Sequence, residues 1–187
     1  MVAALSRYRY PHLIYGAVSS SSPLAAVVDM MGYNDVVAES ISSVDVGGSP
    51  ACLSVVQDGH KEIGEMLQSA EGRRALEKKF NLCEENTLEN EKNREQFAGD
   101  GVVYLPAQSN DPSCSTPYCN IASICSLLTN ESLGEPIDRL ADLAGIQHAG
   151  CVSVSYDAMI ASVSNVNPLN GERVWVSNKV NINIICK

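Results

Sequence analysis

Ser49-Pro50-Ala51-Cys52-Leu53-Ser54-Val55-Val56, running on through Gln57-Asp58-Gly59-His60-Lys61-Glu62-Ile63-Gly64-Glu65-Met66-Leu67, is the stretch that decides the fold. Ser49 can accept a hydrogen bond from a first-turn amide. Pro50 suits the first helical position, because the N–H it lacks would have no intrahelical partner there. Beyond them Cys52, Val55, Val56, Ile63, Met66 and Leu67 recur at three- and four-residue steps, one apolar stripe along a helix. Gly59 and Gly64 weaken that helix locally.

The neighbouring segments are of the same kind. Residues 33–44 read as a short helix stopped by Gly47-Gly48. Residues 72–82 continue with Leu76, Phe80 and Leu82 inward, and 87–97 are so charged that only Leu88 and Phe97 can anchor them. Residues 99–118, rich in Gly, Pro, Ser and Asn, read as a flexible loop. Helices resume at 119–129 through Ile121, Ile124, Cys125 and Leu128, and at 135–145 through Ile137, Leu140, Leu143 and Ala144. Residues 155–163 make a last short one.

The N-terminal end differs. Residues 1–10 read as the last turns of a helix that Pro11 stops. Leu13-Ile14-Tyr15-Gly16-Ala17-Val18 has the pattern of a strand buried on both faces, and Ser19 to Ser22 with Pro23 close it as a loop. The expected fold is therefore mainly α: a remnant of α/β architecture followed by a helical domain.

Bulk properties narrow the function. Hydrophobic residues are 45% and charged residues 19% of the 187, enough to bury a core and too apolar for a disordered chain. The net charge of −9 repels phosphate backbones and anionic lipid heads, which argues against nucleic acid and membrane partners. No stretch reaches the roughly 20 apolar residues that span a bilayer. The apolar run at Met1 is cut short by Arg7 and Arg9, so it does not read as a signal peptide.

Seven cysteines (Cys52, Cys83, Cys114, Cys119, Cys125, Cys151, Cys186) contain no Cys-x-x-Cys pair, and His148 is the only imidazole near them. That is poor zinc-site spacing, and no metal or cofactor is expected. Disulfides in an oxidising compartment account for them better, with thiols in a reduced core as the alternative. Asn130-Glu131-Ser132 is a glycosylation sequon and points to the same compartment.

Catalytic groups are hard to find. No Gly-x-Ser-x-Gly elbow occurs, and Gly48-Ser49-Pro50 is better read as a helix cap. The serines at 19–22 beside His12 read as a polar loop. His60 falls on the polar side of its helix, and His148 follows a helix end where a cation meets the negative end of the dipole. Glu84, Glu85, Glu89, Glu91 and Glu95, with Lys92 and Arg94, read as the solvated face of a helix over 84–95.

Tyr10-Pro11-His12-Leu13-Ile14, Gly16-Ala17-Val18 and Ser20-Ser21-Ser22-Pro23 together resemble a stretch of one serine peptidase family. It is the family of lysosomal Pro-X carboxypeptidase, dipeptidyl peptidase II and thymus-specific serine protease. Tyr33-Asn34-Asp35-Val36-Val37 extends the resemblance, towards the thymus-specific branch, and cysteine placement with Arg173-x-Trp175 carries it further. The resemblance implies an α/β-hydrolase core in 1–25 and an inserted helical cap over about 30–175. Met1-Val2-Ala3-Ala4-Leu5-Ser6-Arg7 resembles the residues that follow the family's Gly-Gly-Ser-Tyr-Gly-Gly elbow. The nucleophilic serine is then expected just upstream of Met1, and the catalytic Asp and His downstream of Trp175.

The expected activity is that of a secreted or lysosomal (vacuolar) exopeptidase acting on peptides next to proline, with this chain alone an inactive internal fragment. A secreted helical binding module without catalysis is the competing reading. Residues 176–187 depart from the family pattern and read as an aberrant tail, for which intron read-through is one source. The resemblance also implies Cys52–Cys125 and Cys83–Cys151 disulfides. Cys114 and Cys119, outside the family's pattern, are near enough in sequence to bond each other, which leaves Cys186 as the odd thiol.

Overall fold

The computed structural model describes residues 2–19, 32–101, 103, 105–106, 110–148, 150–167 and 171. Ser20 to Pro23, the passage between 25 and 30, Trp175 and the 176–187 tail with Cys186 lie outside the described residues. Two compact units divide the chain: Met1–Met30 with Ser162–Lys187, and Met31–Ala161.

In the first unit, α1 (Val2–Arg9) runs into turns at residues 11–13. Leu13 N and Ile14 N both donate to the Tyr10 carbonyl at 3.0 Å, and Arg7 Nε donates to the Tyr15 carbonyl at 3.0 Å. The strand expected over residues 13–18 does not form. An extended segment needs a ladder partner for its N–H and C=O groups. Among the described residues the sole ladder contact is a bridge between Leu82 and Val152. Leu13, Tyr15 and Val18 are exposed rather than buried on two faces.

The second unit is helical. After α2 (Gly32–Ser42) a 3₁₀ turn, Val44–Val46, ends at Gly47, whose φ of 90° suits glycine. A Cβ there would also meet Ala122 Cβ at 2.5 Å. Ser49 caps α3 (Pro50–Met66) by accepting from Cys52 N at 3.1 Å, with Pro50 in the first turn. Cys52, Val56, Ile63 and Leu67 turn inward along the expected stripe.

Around α3 stand α2, α4 (Ala70–Lys79), α6 (Ile121–Leu128) and α7 (Pro136–Gln147), and α6 also packs on α7. Gly59 has a role that its low helix propensity hides. A Cβ there would lie 2.3 Å from Leu140 Cδ1 and 3.4 Å from the Pro136 carbonyl, so the glycine lets α3 and α7 approach closely. Gly64 faces open space, so only there does the helix weaken without a packing gain.

The acidic segment is not one helix over 84–95. It divides into a 3₁₀ turn, Thr87–Glu89, and α5 (Glu91–Gln96). The break occurs because Asn86 takes a left-handed φ of 59° and the Glu77 carboxylate accepts from Asn86 N and Leu88 N, at 3.0 and 2.9 Å. Leu88 and Phe97 are the buried anchors, with the Phe97 ring edge-on to Phe80 at 5.3 Å. α8 (Tyr156–Ser164) begins where Tyr156 N donates to Asn93 Oδ1 at 2.9 Å.

Candidate functional site

Three disulfides organise the helical unit. Cys52 on α3 is joined to Cys125 on α6, with Cα atoms 5.2 Å apart across 73 positions of sequence. Cys83 is joined to Cys151 across 68 positions, beside the bridge in which Cys83 N donates to the Val152 carbonyl at 3.0 Å. Cys114 and Cys119 close a short loop ahead of α6. That loop ends in Asn120, which accepts from Ser123 N at 2.8 Å and caps the helix. Asn110 ties it down further: its Oδ1 accepts from Ile121 N at 2.9 Å and its Nδ2 donates to the Val46 carbonyl at 3.3 Å.

No nucleophile–base pair assembles among the described residues. His60 is half-buried rather than solvated, with Nδ1 2.8 Å from the Val56 carbonyl one turn back. His148 ends α7 with its N–H on the Ala144 carbonyl. His12 stacks edge-on near Tyr10, 6.5 Å between centroids. No histidine among the described residues forms an ion pair with a carboxylate, and no three His, Cys, Asp or Glu side chains gather as a metal site.

An open surface depression of about 400 Å³ is lined by Leu67, Gln68, Arg73, Glu91, Arg94, Glu95 and Ala98. Its two guanidinium groups already have structural partners. Arg73 forks onto Glu89 at 2.8 and 3.2 Å and donates to the Leu67 carbonyl, while Arg94 donates to the Leu88 and Glu89 carbonyls. The hydrogen bonds from Arg73 hold the Glu89 carboxyl below its ordinary value. Lys79 does the same for Asp138, and the Ser113 hydroxyl for Asp111. Each of these three carboxylates is engaged by a hydrogen-bond partner within the chain.

Sequence reasoning passed over one buried charge. Arg139 is 7% exposed on α7, and one of its terminal nitrogens donates to the Leu128 carbonyl at 2.7 Å. It thereby satisfies a carbonyl at the C-terminus of α6, the negative end of that helix. The signal was its position four residues before Leu143, on a face that helical spacing makes apolar.

The model of the serine carboxypeptidase S28 family matches residues 1–178. The chain belongs to that family. It is 29% identical to the thymus-specific serine protease of Mus musculus over 193 aligned positions and 28% identical to that of Homo sapiens over 202. Each comparison takes in 94% of this chain and 36% of the relative, so the chain spans about a third of the length of these relatives. No solved structure matches it. The matched residues take in α1 and the helical unit alike. Among the described residues no helix is long and apolar enough to cross a membrane.

Proposed function

We propose that this chain is the cap-bearing segment of a serine-type exopeptidase that cleaves peptides next to proline. The nucleophilic serine, the aspartate and the histidine would stand outside these 187 residues, on a hydrolase domain whose cleft the helical unit covers. In such an enzyme the serine is acylated with the histidine as general base, and backbone amides stabilise the oxyanion. The helices would restrict which chain ends reach the serine. A secreted or lysosomal setting agrees with three disulfides and an acidic chain. The observation that carries the reading is the family match over residues 1–178 of a chain without a Gly-x-Ser-x-Gly elbow.

A fluorophosphonate probe tests it. The 187-residue chain is expected to take no covalent label and to show no acylation burst. The longer protein that contains it is expected to label on one serine and to release a residue or dipeptide beside proline. Labelling of any serine within residues 1–187 would overturn the assignment.

The competing reading, a secreted helical binding module, draws on one observation: residues 41–154 close a core of their own, with Leu76, Leu88, Leu128, Leu140 and Leu143 at 0% exposure. It predicts that the longer protein stays unlabelled as well.

A further inference from the structure

Asn130-Glu131-Ser132 is the one Asn-x-Ser/Thr sequence in the 187 residues, and it occupies the turn between α6 and α7. Asn130 precedes the 3₁₀ turn Glu131–Leu133, and both Asn130 and Ser132 are exposed. The Asn130 amide oxygen accepts twice, from Ser132 N at 3.2 Å and from the Ser132 hydroxyl at 2.7 Å. Its Nδ2 makes no hydrogen bond among the described residues, and Gly134, with φ of 104°, turns the chain away into α7. The side chain therefore spends its acceptor on the turn and leaves its nitrogen to solvent. The disulfides are a separate observation that places folding in an oxidising compartment, where N-glycosylation also takes place.

We infer that Asn130 is an N-glycosylation site and that the α6–α7 turn carries its glycan into solvent. The donor is a lipid-diphosphate-linked oligosaccharide. An N–C bond forms between Asn130 Nδ2 and the anomeric carbon as the C–O bond to the diphosphate breaks. The amide nitrogen loses one proton, and the lipid diphosphate leaves protonated. Transfer acts on the unfolded chain, so what the fold must supply is room. An exposed turn whose acceptor oxygen is already bonded to Ser132 supplies it without breaking a tertiary contact. A glycan there also excludes the α6–α7 turn from any interface with the rest of a longer protein. The inference is independent of the peptidase reading.

The test directs the 187-residue chain into the endoplasmic reticulum of a eukaryotic cell behind a secretory leader, and reads all material that enters, secreted or retained. Peptide-N-glycosidase in heavy-oxygen water is expected to convert Asn130 to labelled aspartate and to produce one mobility shift. Asn130→Gln and Ser132→Ala are expected to abolish the shift, and Ser132→Thr to retain it. Unmodified Asn130 in disulfide-bonded wild-type material would overturn the inference, as would a shift that survives both Asn130→Gln and Ser132→Ala.

Discussion

In residues 2–19, Val2, Tyr8, Leu13, Tyr15 and Val18 are each at least 74% exposed, whereas in residues 32–161 Cys52, Leu76, Leu88, Leu128, Leu140 and Leu143 are all at 0%. Both regions are rich in apolar residues. The helical region buries its own because each stripe meets another: α3 faces α2, α4, α6 and α7, and the Cys52–Cys125 disulfide ties α3 to α6. The N-terminal region has one short helix and a turn, and among the described residues no ladder pairs with the apolar run that follows. Each fully buried leucine side chain contributes roughly 2 kcal/mol relative to an exposed one. An exposed Leu13 contributes almost nothing to folding and offers a sticky surface instead. Apolar composition becomes stability only where a second layer exists to cover it.

The sharpest way to break this contrast is to remove the covalent ties of the helical region. Cys52→Ala with Cys125→Ala opens a loop spanning 73 positions of sequence, and is expected to lower unfolding free energy by about 4 kcal/mol. Denaturant titration of the purified chain measures it, and a loss near zero would mean that the apolar contacts alone hold α3 to α6.

A smaller effect separates two glycines of one helix. Gly59→Val drives side-chain atoms into Leu140 and is expected to destabilise by about 1–3 kcal/mol. Gly64→Ala, on the open face five residues on, is expected to stabilise by about 0.5–1 kcal/mol. Thermal melts of the two variants should therefore move in opposite directions. The same sign for both would show that helix propensity, not the α3–α7 approach, governs these positions.

Acid probes the ion pairs of the helical region. Hydrogen bonds from Arg73 and Lys79 lower the folded-state values of Glu89 and Asp138 from 4.5 and 3.8. A depressed carboxyl stabilises fully above its unfolded value, and that contribution is lost as pH falls through the folded one. The melting temperature should hold down to a mildly acidic lysosomal pH and fall below it. Glu89→Gln with Asp138→Asn should flatten that fall modestly, since both pairs are solvent-screened.

The smallest effect belongs to the N-terminal region. Tyr15→Ala is expected to change unfolding free energy by no more than about 0.5 kcal/mol, because the residue is 101% exposed. Removing residues 1–27, so that the chain begins near Val28, is expected to reduce aggregation in light scattering without lowering the melting temperature of the helices. A drop in that temperature would show that the two regions stabilise each other.

Local signals in the chain were strong enough to mark the helices. Ser49 and Pro50 set the start of α3, Gly47 ended the turn before it, and the three- and four-residue steps picked the inward faces of α3, α4, α6 and α7. These features depend on neighbours within one or two helical turns, so they can be read from the chain alone. The missing elbow was equally plain, because a nucleophile turn needs its glycines in sequence.

Contacts between distant residues were decided only in three dimensions. The room Gly59 makes for Leu140, the Arg139 bond to the Leu128 carbonyl and the Leu82–Val152 bridge all join positions far apart in the chain or on different elements. Residues 13–18 show the limit from the other side: their apolar run is strand-like in pattern, yet a strand is a relation between two segments. Periodicity records which face of an element is apolar, and it carries no record of what comes to cover that face.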